Sequence, residues 1–147
     1  MKINKVFSNP IFYLIIFIVL FFDQLTKVLF QFKNITLIPN LLSITYSENA
    51  GIVFGFFERN VLFLYIIPLL VIIFILYYLN KKELNYIGSA LVIAGLLGNI
   101  IDRARLGYVI DWFFIHIIPK YNVSLFNIAD ASLISGVIIL IYFLYKK

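Results

Sequence analysis

Four long apolar runs constrain this chain more than any other feature of its sequence. They cover about residues 11–30, 61–79, 86–106 and 128–145. Each is near the roughly 20 residues that an α-helix needs to cross about 30 Å of hydrocarbon. Composition agrees, because 63% of the 147 residues are hydrophobic and 13% are charged, against about 45–50% and about 25% in soluble domains. The sequence therefore predicts an all-α integral membrane protein, in which residues 1–147 form a single polytopic domain with four transmembrane helices.

Lysine clusters predict the orientation of these helices. They lie before the first run, between the second and third, and after the fourth: Lys2 and Lys5, Lys81 and Lys82, Lys146 and Lys147. Because basic residues in short loops mark the cytoplasmic side, both termini are expected there. The segments of about residues 31–60 and 107–127 are then extracytoplasmic. The first run could instead be a cleavable signal peptide, but it is long for one and lacks a small-residue cleavage site.

The first outer segment reads as β-structure rather than helix. Residues 41–46 alternate loosely and are rich in strand formers, residues 48–51 resemble a turn, and residues 52–57 resemble a second short strand. We therefore expect a small β-structured extracytoplasmic segment between helices 1 and 2, resting on the outer membrane surface.

Charge and composition exclude several functional classes. The net charge of +5 is not arranged as a basic stripe, so no nucleic-acid partner is expected. The chain has no cysteine, which excludes disulfides, a thiol nucleophile and cysteine-based metal sites. His116 is the single histidine, so an HExxH zinc site is impossible and a Ser–His–Asp triad is disfavoured.

All four aspartates lie inside or at the edge of the predicted membrane helices, on the outer side: Asp23, Asp102, Asp111 and Asp130. A carboxylate at such a depth is costly and is by default a functional-site hypothesis. Four on one side indicate a shared polar site.

Two of these aspartates have structural alternatives on their own helices. Asp23 and Lys27 are i,i+4 neighbours and could form an ion pair. Asp102 could pair with Arg103 within an outer polar network. Asp102 also continues a face of small residues spaced every four positions, which suits close helix packing: Ala90, Ala94 and Gly98.

The other two aspartates differ in what surrounds them. Asn127 followed three residues later by Asp130 resembles a capping box, so Asp130 could simply cap the fourth helix. Asp111 is a lone acid in an apolar run and needs a partner. Asp130 is the obvious candidate, since the short segment between them lets the chain fold back.

Five motifs follow one another in order: Asp23-Gln24-x-Thr26-Lys27, Asn49-x-Gly51-x-x-Phe54-Gly55, Gly98-Asn99-x-x-Asp102-Arg103, Gly107-x-Val109-x-Asp111 and Phe126-Asn127-x-Ala129-Asp130. Together they resemble the lipoprotein signal peptidases, also called type II signal peptidases. These are aspartic proteases of the bacterial inner membrane with four transmembrane helices and cytoplasmic termini. One departure is that Ile52 and Val53 replace two small alanines of the family pattern, which would narrow the pocket beside Asn49.

The resemblance implies an intramembrane aspartic endopeptidase with Asp111 and Asp130 as its catalytic dyad. Eight further residues would support the site or bind substrate: Asp23, Lys27, Asn49, Gly51, Asn99, Asp102, Arg103 and Asn127. It would act as a monomer on the extracytoplasmic side of the inner membrane, in contact with membrane lipid. Its substrates would be prolipoproteins, cut before a diacylglyceryl-modified cysteine, without metal or cofactor.

Two other classes use acids inside membranes. An ion-coupled transporter would place them along an ion path, but four helices are few and these aspartates lie on one side rather than at the midplane. A non-enzymatic assembly subunit would use the aspartates and basic residues to join helices. In that case Asp→Asn changes would impair folding more than activity.

Overall fold

The computed structural model describes residues 9–51, 60–81, 83–115 and 125–146, which form four long helices and a small sheet. Helix α1 spans Pro10–Phe30 and α3 spans Tyr86–Leu106. Helix α2, Ile67–Asn80, continues from a π-helical turn at Leu62–Ile66, and α4 spans Ile128–Tyr145. Within the described ranges, four helical spans are long and apolar enough to cross a membrane. The predicted four-helix membrane fold is confirmed.

Polar residues define the ends of these helices. The Asn9 side chain accepts a hydrogen bond from the first turn of α1, and the Asn85 side chain does so in α3. Such caps pair backbone N–H groups that have no partner within the helix. Gly107, with φ of 84°, ends α3 and donates its N–H to the Arg103 carbonyl. That left-handed conformation suits glycine and turns the chain directly into the next strand.

Small residues let α3 and α4 pack closely. A Cβ atom added to Gly136 would lie 2.7 Å from the Gly88 carbonyl oxygen and 2.8 Å from the Val92 nitrogen. On the face predicted for close packing, Ala90 and Ala94 are fully buried. The outer faces of the helices, in contrast, expose large apolar side chains to the surroundings, as expected for helices in lipid.

A four-stranded antiparallel sheet lies where α1 and α3 end and α4 begins. Its strands are adjacent in chain order: β1 (Asn34–Ile38), β2 (Leu42–Asn49), β3 (Val109–Ile115) and β4 (Leu125–Phe126). The prediction of β-structure between helices 1 and 2 is confirmed, and residues 42–46 of the expected strand lie in β2. The sheet is larger than expected, because β3 and β4 come from the segment between α3 and α4.

Two local predictions require correction. The turn expected at residues 48–51 is wrong in its first half, since Glu48 and Asn49 continue β2 and pair with Ile110 and Val109. Asp111 lies in β3 rather than at a helix edge. In both cases the local sequence is overridden by pairing between strands about sixty residues apart. The strand expected at residues 52–57 and His116 lie outside the described residues.

Candidate active site

A buried lysine joins the C-terminal ends of α1 and α3. The Lys27 side chain is 2% exposed, and its Nζ lies 2.8 Å from Asp23 Oδ2 and 2.8 Å from Asp102 Oδ2. The predicted Asp23–Lys27 ion pair is therefore confirmed. The predicted Asp102–Arg103 pairing is wrong, because Asp102 forms its ion pair with Lys27, while Arg103 donates to the Gly51 carbonyl at 2.7 Å. Adjacent residues on a helix do not face each other, so Asp102 and Arg103 do not pair. The Asp102 side chain instead meets Lys27 of α1.

The same two carboxylates hold backbone next to the other two aspartates. Asp23 Oδ1 accepts from the Ala129 N–H at 2.9 Å, one residue before Asp130. Asp102 Oδ2 accepts from the Ile110 N–H at 3.2 Å, one residue before Asp111. Parts of the chain that are far apart in sequence are thus attached to one ion-pair cluster.

Asp111 is a buried acid held by two amides. The residue is 3% exposed, and its oxygens accept from Asn127 Nδ2 at 2.7 Å and Asn49 Nδ2 at 3.1 Å. Burial and then the nearby charge of Asp130 raise the pKa of Asp111 to about 7, against the smaller opposite effects of the two amides and Lys27. Desolvation and a neighbouring carboxylate both disfavour the ionised form. Asp111 and Asp130 are therefore electrostatically coupled.

Asp130 lies in the first turn of α4 and forms the capping box expected there. Its N–H donates to Asn127 Oδ1 at 2.9 Å, and its Oδ2 accepts from the Asn127 N–H at 3.3 Å. Its other oxygen, Oδ1, accepts from Asn99 Nδ2 at 2.8 Å. Capping therefore does not remove Asp130 from the polar cluster, because the capping box holds only one of its two oxygens.

Both acids line one cleft of about 410 Å³ between the sheet and the helices. Its polar lining consists of Asn49, Asn99, Arg103, Asp111 and Asp130. The rest of the lining is apolar and comes from the π-helical turn, helices α2, α3 and α4, and strands β3 and β4. These residues are Phe63, Ile67, Pro68, Val71, Leu96, Val109, Leu125, Phe126, Leu133 and Ile134. The cleft thus combines two coupled carboxyls with a largely apolar wall.

The site residues named from the sequence fall into two groups. Asn49, Asn99, Arg103 and both acids line the cleft, whereas Asp23, Lys27, Asp102 and Asn127 lie behind it. Lys27 and Asn127 hydrogen-bond to lining residues, and Asp23 and Asp102 accept from the backbone one residue before each acid. Gly51 accepts from Arg103 and donates its N–H to Asn49 Oδ1 at 3.1 Å, which holds the Asn49 amide.

Sequence reasoning assigned no role to Gln24. Its Nε2 donates to Asp102 Oδ1 at 2.9 Å and Asp23 Oδ2 at 3.1 Å, and its Oε1 accepts from Arg105 at 3.0 Å. The available signal was an amide side chain directly beside Asp23, near the end of an apolar run.

Four membrane-spanning helices and a cleft lined by two carboxyls, of which Asp111 is buried and Asp130 is half-buried, define an integral membrane protein of the aspartic-peptidase type. Residues 15–146 match the family described as Signal peptidase (SPase) II. This chain belongs to that family, the lipoprotein signal peptidases, which are aspartic-type endopeptidases that remove signal peptides from prolipoproteins.

Individual relatives cover most of the chain. The lipoprotein signal peptidase of Clostridioides difficile is 40% identical over 141 residues, covering 90% of this chain and 93% of that protein. The lipoprotein signal peptidase of Clostridium tetani is 39% identical over 120 residues, covering 78% of this chain and 76% of that protein. A bacterial membrane enzyme solved by the in meso method at 2.3 Å resolution has a TM-score of 0.83 and 34% identity, covering 93% of this chain and 88% of that one.

Proposed function

We propose that Asp111 and Asp130 are the catalytic dyad of this peptidase, and that it cleaves prolipoproteins immediately before a diacylglyceryl-modified cysteine. The observation that carries the assignment is the placement of both carboxyls on one cleft, where Asp111 is buried and the charge of Asp130 raises its pKa. Two such acids ionise in separate steps that belong to the pair, so a range of pH exists in which they share one proton.

The singly protonated pair supplies both functions that peptide hydrolysis needs. The ionised carboxylate accepts a proton from water as the water oxygen attacks the scissile carbonyl carbon. The protonated carboxyl donates to the carbonyl oxygen, where negative charge develops. When the tetrahedral intermediate collapses, the C–N bond breaks, the departing amine takes the proton that came from water, and a hydroxyl of the intermediate returns the other proton to the pair as the carbonyl forms again. The pair then holds one proton, as at the start of the cycle.

Three asparagine side chains hold the two acids for this reaction. Asn49 and Asn127 donate to opposite oxygens of Asp111, and Asn99 donates to Asp130. Each carboxyl therefore has a set orientation while part of it faces the cleft. Such preorganisation places the reacting groups without rearrangement at the moment of reaction.

The lining of the cleft suits a lipid-modified peptide. Apolar side chains from the helices, among them Ile67, Val71 and Ile134, form one wall, and each of these three is more than a third exposed. A diacylglyceryl group and an apolar signal peptide both match that surface, and a substrate inside the bilayer can approach it without crossing water.

The orientation we propose puts both termini and the loop at Lys81 in the cytoplasm and the dyad on the outer side. Lysine placement in the short loops supports it. The sheet and the dyad then face the compartment where the exported part of the substrate lies. We also propose that a single chain, in contact with membrane lipid, is the working unit.

The test is cleavage by the detergent-purified protein of two synthetic signal peptides that differ only in whether the cysteine carries a diacylglyceryl group. We expect cleavage before the cysteine in the lipidated peptide and at least tenfold slower cleavage of the unmodified one. Folded protein that leaves the lipidated peptide intact, or that cuts both equally, would contradict the proposal.

A further inference from the structure

Lys27 makes three polar contacts from a fully enclosed position. Besides Asp23 and Asp102, its Nζ lies 3.3 Å from Asn99 Oδ1. A lysine ammonium has three N–H donors and no acceptor. Here each donor has one oxygen partner, so the ammonium is fully satisfied and its position is determined by α1 and α3 together.

The contact with Asn99 determines which way that amide points. Because Lys27 is only a donor, it must face the amide oxygen of Asn99. Asn127 Nδ2 donates to the same oxygen at 3.3 Å. The NH₂ group is thereby directed to Asp130 Oδ1, 2.8 Å away. A rotated amide would put an acceptor against the Asp130 carboxylate.

The contacts with Asp23 and Asp102 act on the backbone beside the dyad. Asp23 accepts from Ala129, at the start of α4, and Asp102 accepts from Ile110, in β3. Lys27 lies between these two carboxylates and balances part of their charge. Removing it would leave two buried acids repelling each other, each attached to the chain one residue before a dyad member.

We propose that Lys27 is a positioning residue for the cleavage reaction: its ammonium unites Asp23, Asp102 and Asn99, and through them sets the relative placement of Asp111 and Asp130. Lys27 does not touch the substrate or the reacting atoms. The inference rests on the proposed function of the dyad.

The charge of Lys27 also reaches the dyad. The charged groups that act on Asp111 are Asp130 from α4, Lys27 from α1 and Arg103 from α3. The attraction of Lys27 lowers the pKa of Asp111, in opposition to burial and Asp130. Replacing Lys27 with a neutral residue therefore raises the pKa of Asp111, an effect that a purely structural role for Lys27 would not produce.

The experiment compares Lys27→Met with a double variant that keeps the net charge of the cluster. Lys27→Met removes the ammonium but keeps an unbranched side chain of similar length. This double variant, Lys27→Met/Asp102→Asn, also neutralises one acid. The cluster therefore keeps the net charge of −1 that one lysine and two aspartates have in the wild type. Asp102→Asn alone is the reference for the double variant. Lys33→Met, which removes the same charge from an exposed position, is the matched control. The readouts are kcat, KM and the pH profile with lipidated peptide.

We expect kcat to fall about 100-fold in both variants that lack Lys27, because a misplacement of about 1 Å has an effect of this size. KM should stay within about twofold, because the cleft lining is unchanged. The limb of the pH profile governed by Asp111 should move to higher pH in Lys27→Met relative to the wild type, and in the double variant relative to Asp102→Asn. Lys33→Met should resemble the wild type. If Lys27→Met does not fold, the test is the comparison of the double variant with Asp102→Asn.

Folded Lys27 variants with wild-type kcat and pH profile would overturn the inference. So would a loss of activity that only follows the loss of folded protein, with no movement of the pH profile. Asp111→Asn is assayed alongside: if it is inactive while Lys27→Met is normal, only the role of Lys27 fails, whereas an active Asp111→Asn enzyme would refute the dyad itself.

Discussion

Replacing Asp102 with asparagine tests how much the buried charges between α1 and α3 stabilise the fold. Asp102 is 1% exposed and accepts three hydrogen bonds, from Lys27 Nζ at 2.8 Å, Gln24 Nε2 at 2.9 Å and the Ile110 N–H at 3.2 Å. Asparagine keeps the size of the side chain but removes its charge and turns one acceptor oxygen into an NH₂ donor. That donor must face either Gln24 or Lys27 and Ile110, all of which are donors.

The magnitude follows from what remains paired. Removing one partner of a buried ion pair costs about 3–5 kcal/mol when the other charge is left alone. Here Lys27 keeps Asp23 at 2.8 Å, so its charge remains compensated. The loss reduces to a hydrogen bond to a charged group, about 1.5–3 kcal/mol, plus the new contact between donors. We therefore expect the free energy of unfolding to fall by about 2–4 kcal/mol.

The assay is reversible unfolding in mixed detergent micelles, with lipidated-peptide cleavage measured on the folded fraction. Glu48→Gln is the matched control, because it neutralises an exposed carboxylate on β2, and it should change stability by less than about 0.5 kcal/mol. If Asp102→Asn is as stable as Glu48→Gln, the cluster does not stabilise the fold as argued. An Asp102→Asn protein with full stability and no activity would assign Asp102 to the chemistry instead.

Three further predictions concern packing, titration and topology. Gly136→Ala should lower the free energy of unfolding by about 1–2 kcal/mol in the same assay. The added Cβ would overpack the α3–α4 contact, and this cost exceeds the gain from the higher helix propensity of alanine. Equal or greater stability would refute this. The pKa of Asp111 is raised from 3.8 to about 7 in the folded state, so its contribution to stability is full below pH 3.8 and is lost as pH rises from there to about 7. Relative to the non-titrating Asp111→Asn protein, the wild type should therefore lose stability across that range, and a flat difference would count against the raised pKa. Reporters inserted at Lys81 and at Asn40 should report the cytoplasm and the outer side respectively, and finding both on one side would contradict the proposed orientation.

The helices could be predicted from the sequence because hydropathy is a local signal. Each membrane helix can be predicted from about twenty consecutive apolar residues, and the cap at Asn127 from four consecutive residues. The Asp23–Lys27 pair was likewise predictable, since both residues lie one turn apart on one helix. Features that lie within a single helix were therefore predicted correctly.

The errors concern contacts between distant segments. Strand β3 was not recognised because its partner β2 lies about sixty residues earlier, and nothing in residues 109–115 indicates that register. The neighbour of Asp102 was taken to be Arg103, whereas Lys27, from another helix, supplies the charge. The cluster of residues behind the dyad therefore emerges only once α1, α3 and α4 are packed together.

The most direct test of the account is lipidated-peptide cleavage by Asp111→Asn, Asp130→Asn and the double variant, with folding and peptide binding measured in parallel. Asparagine keeps size and most hydrogen bonds but cannot hold the shared proton or act as a base. Because two groups that act as a unit have non-additive effects, each single change should abolish cleavage, the double change should be scarcely worse, and peptide binding should survive in all three. Substantial cleavage by either folded single variant, or losses that multiply in the double variant, would contradict the assignment of Asp111 and Asp130 as one catalytic pair.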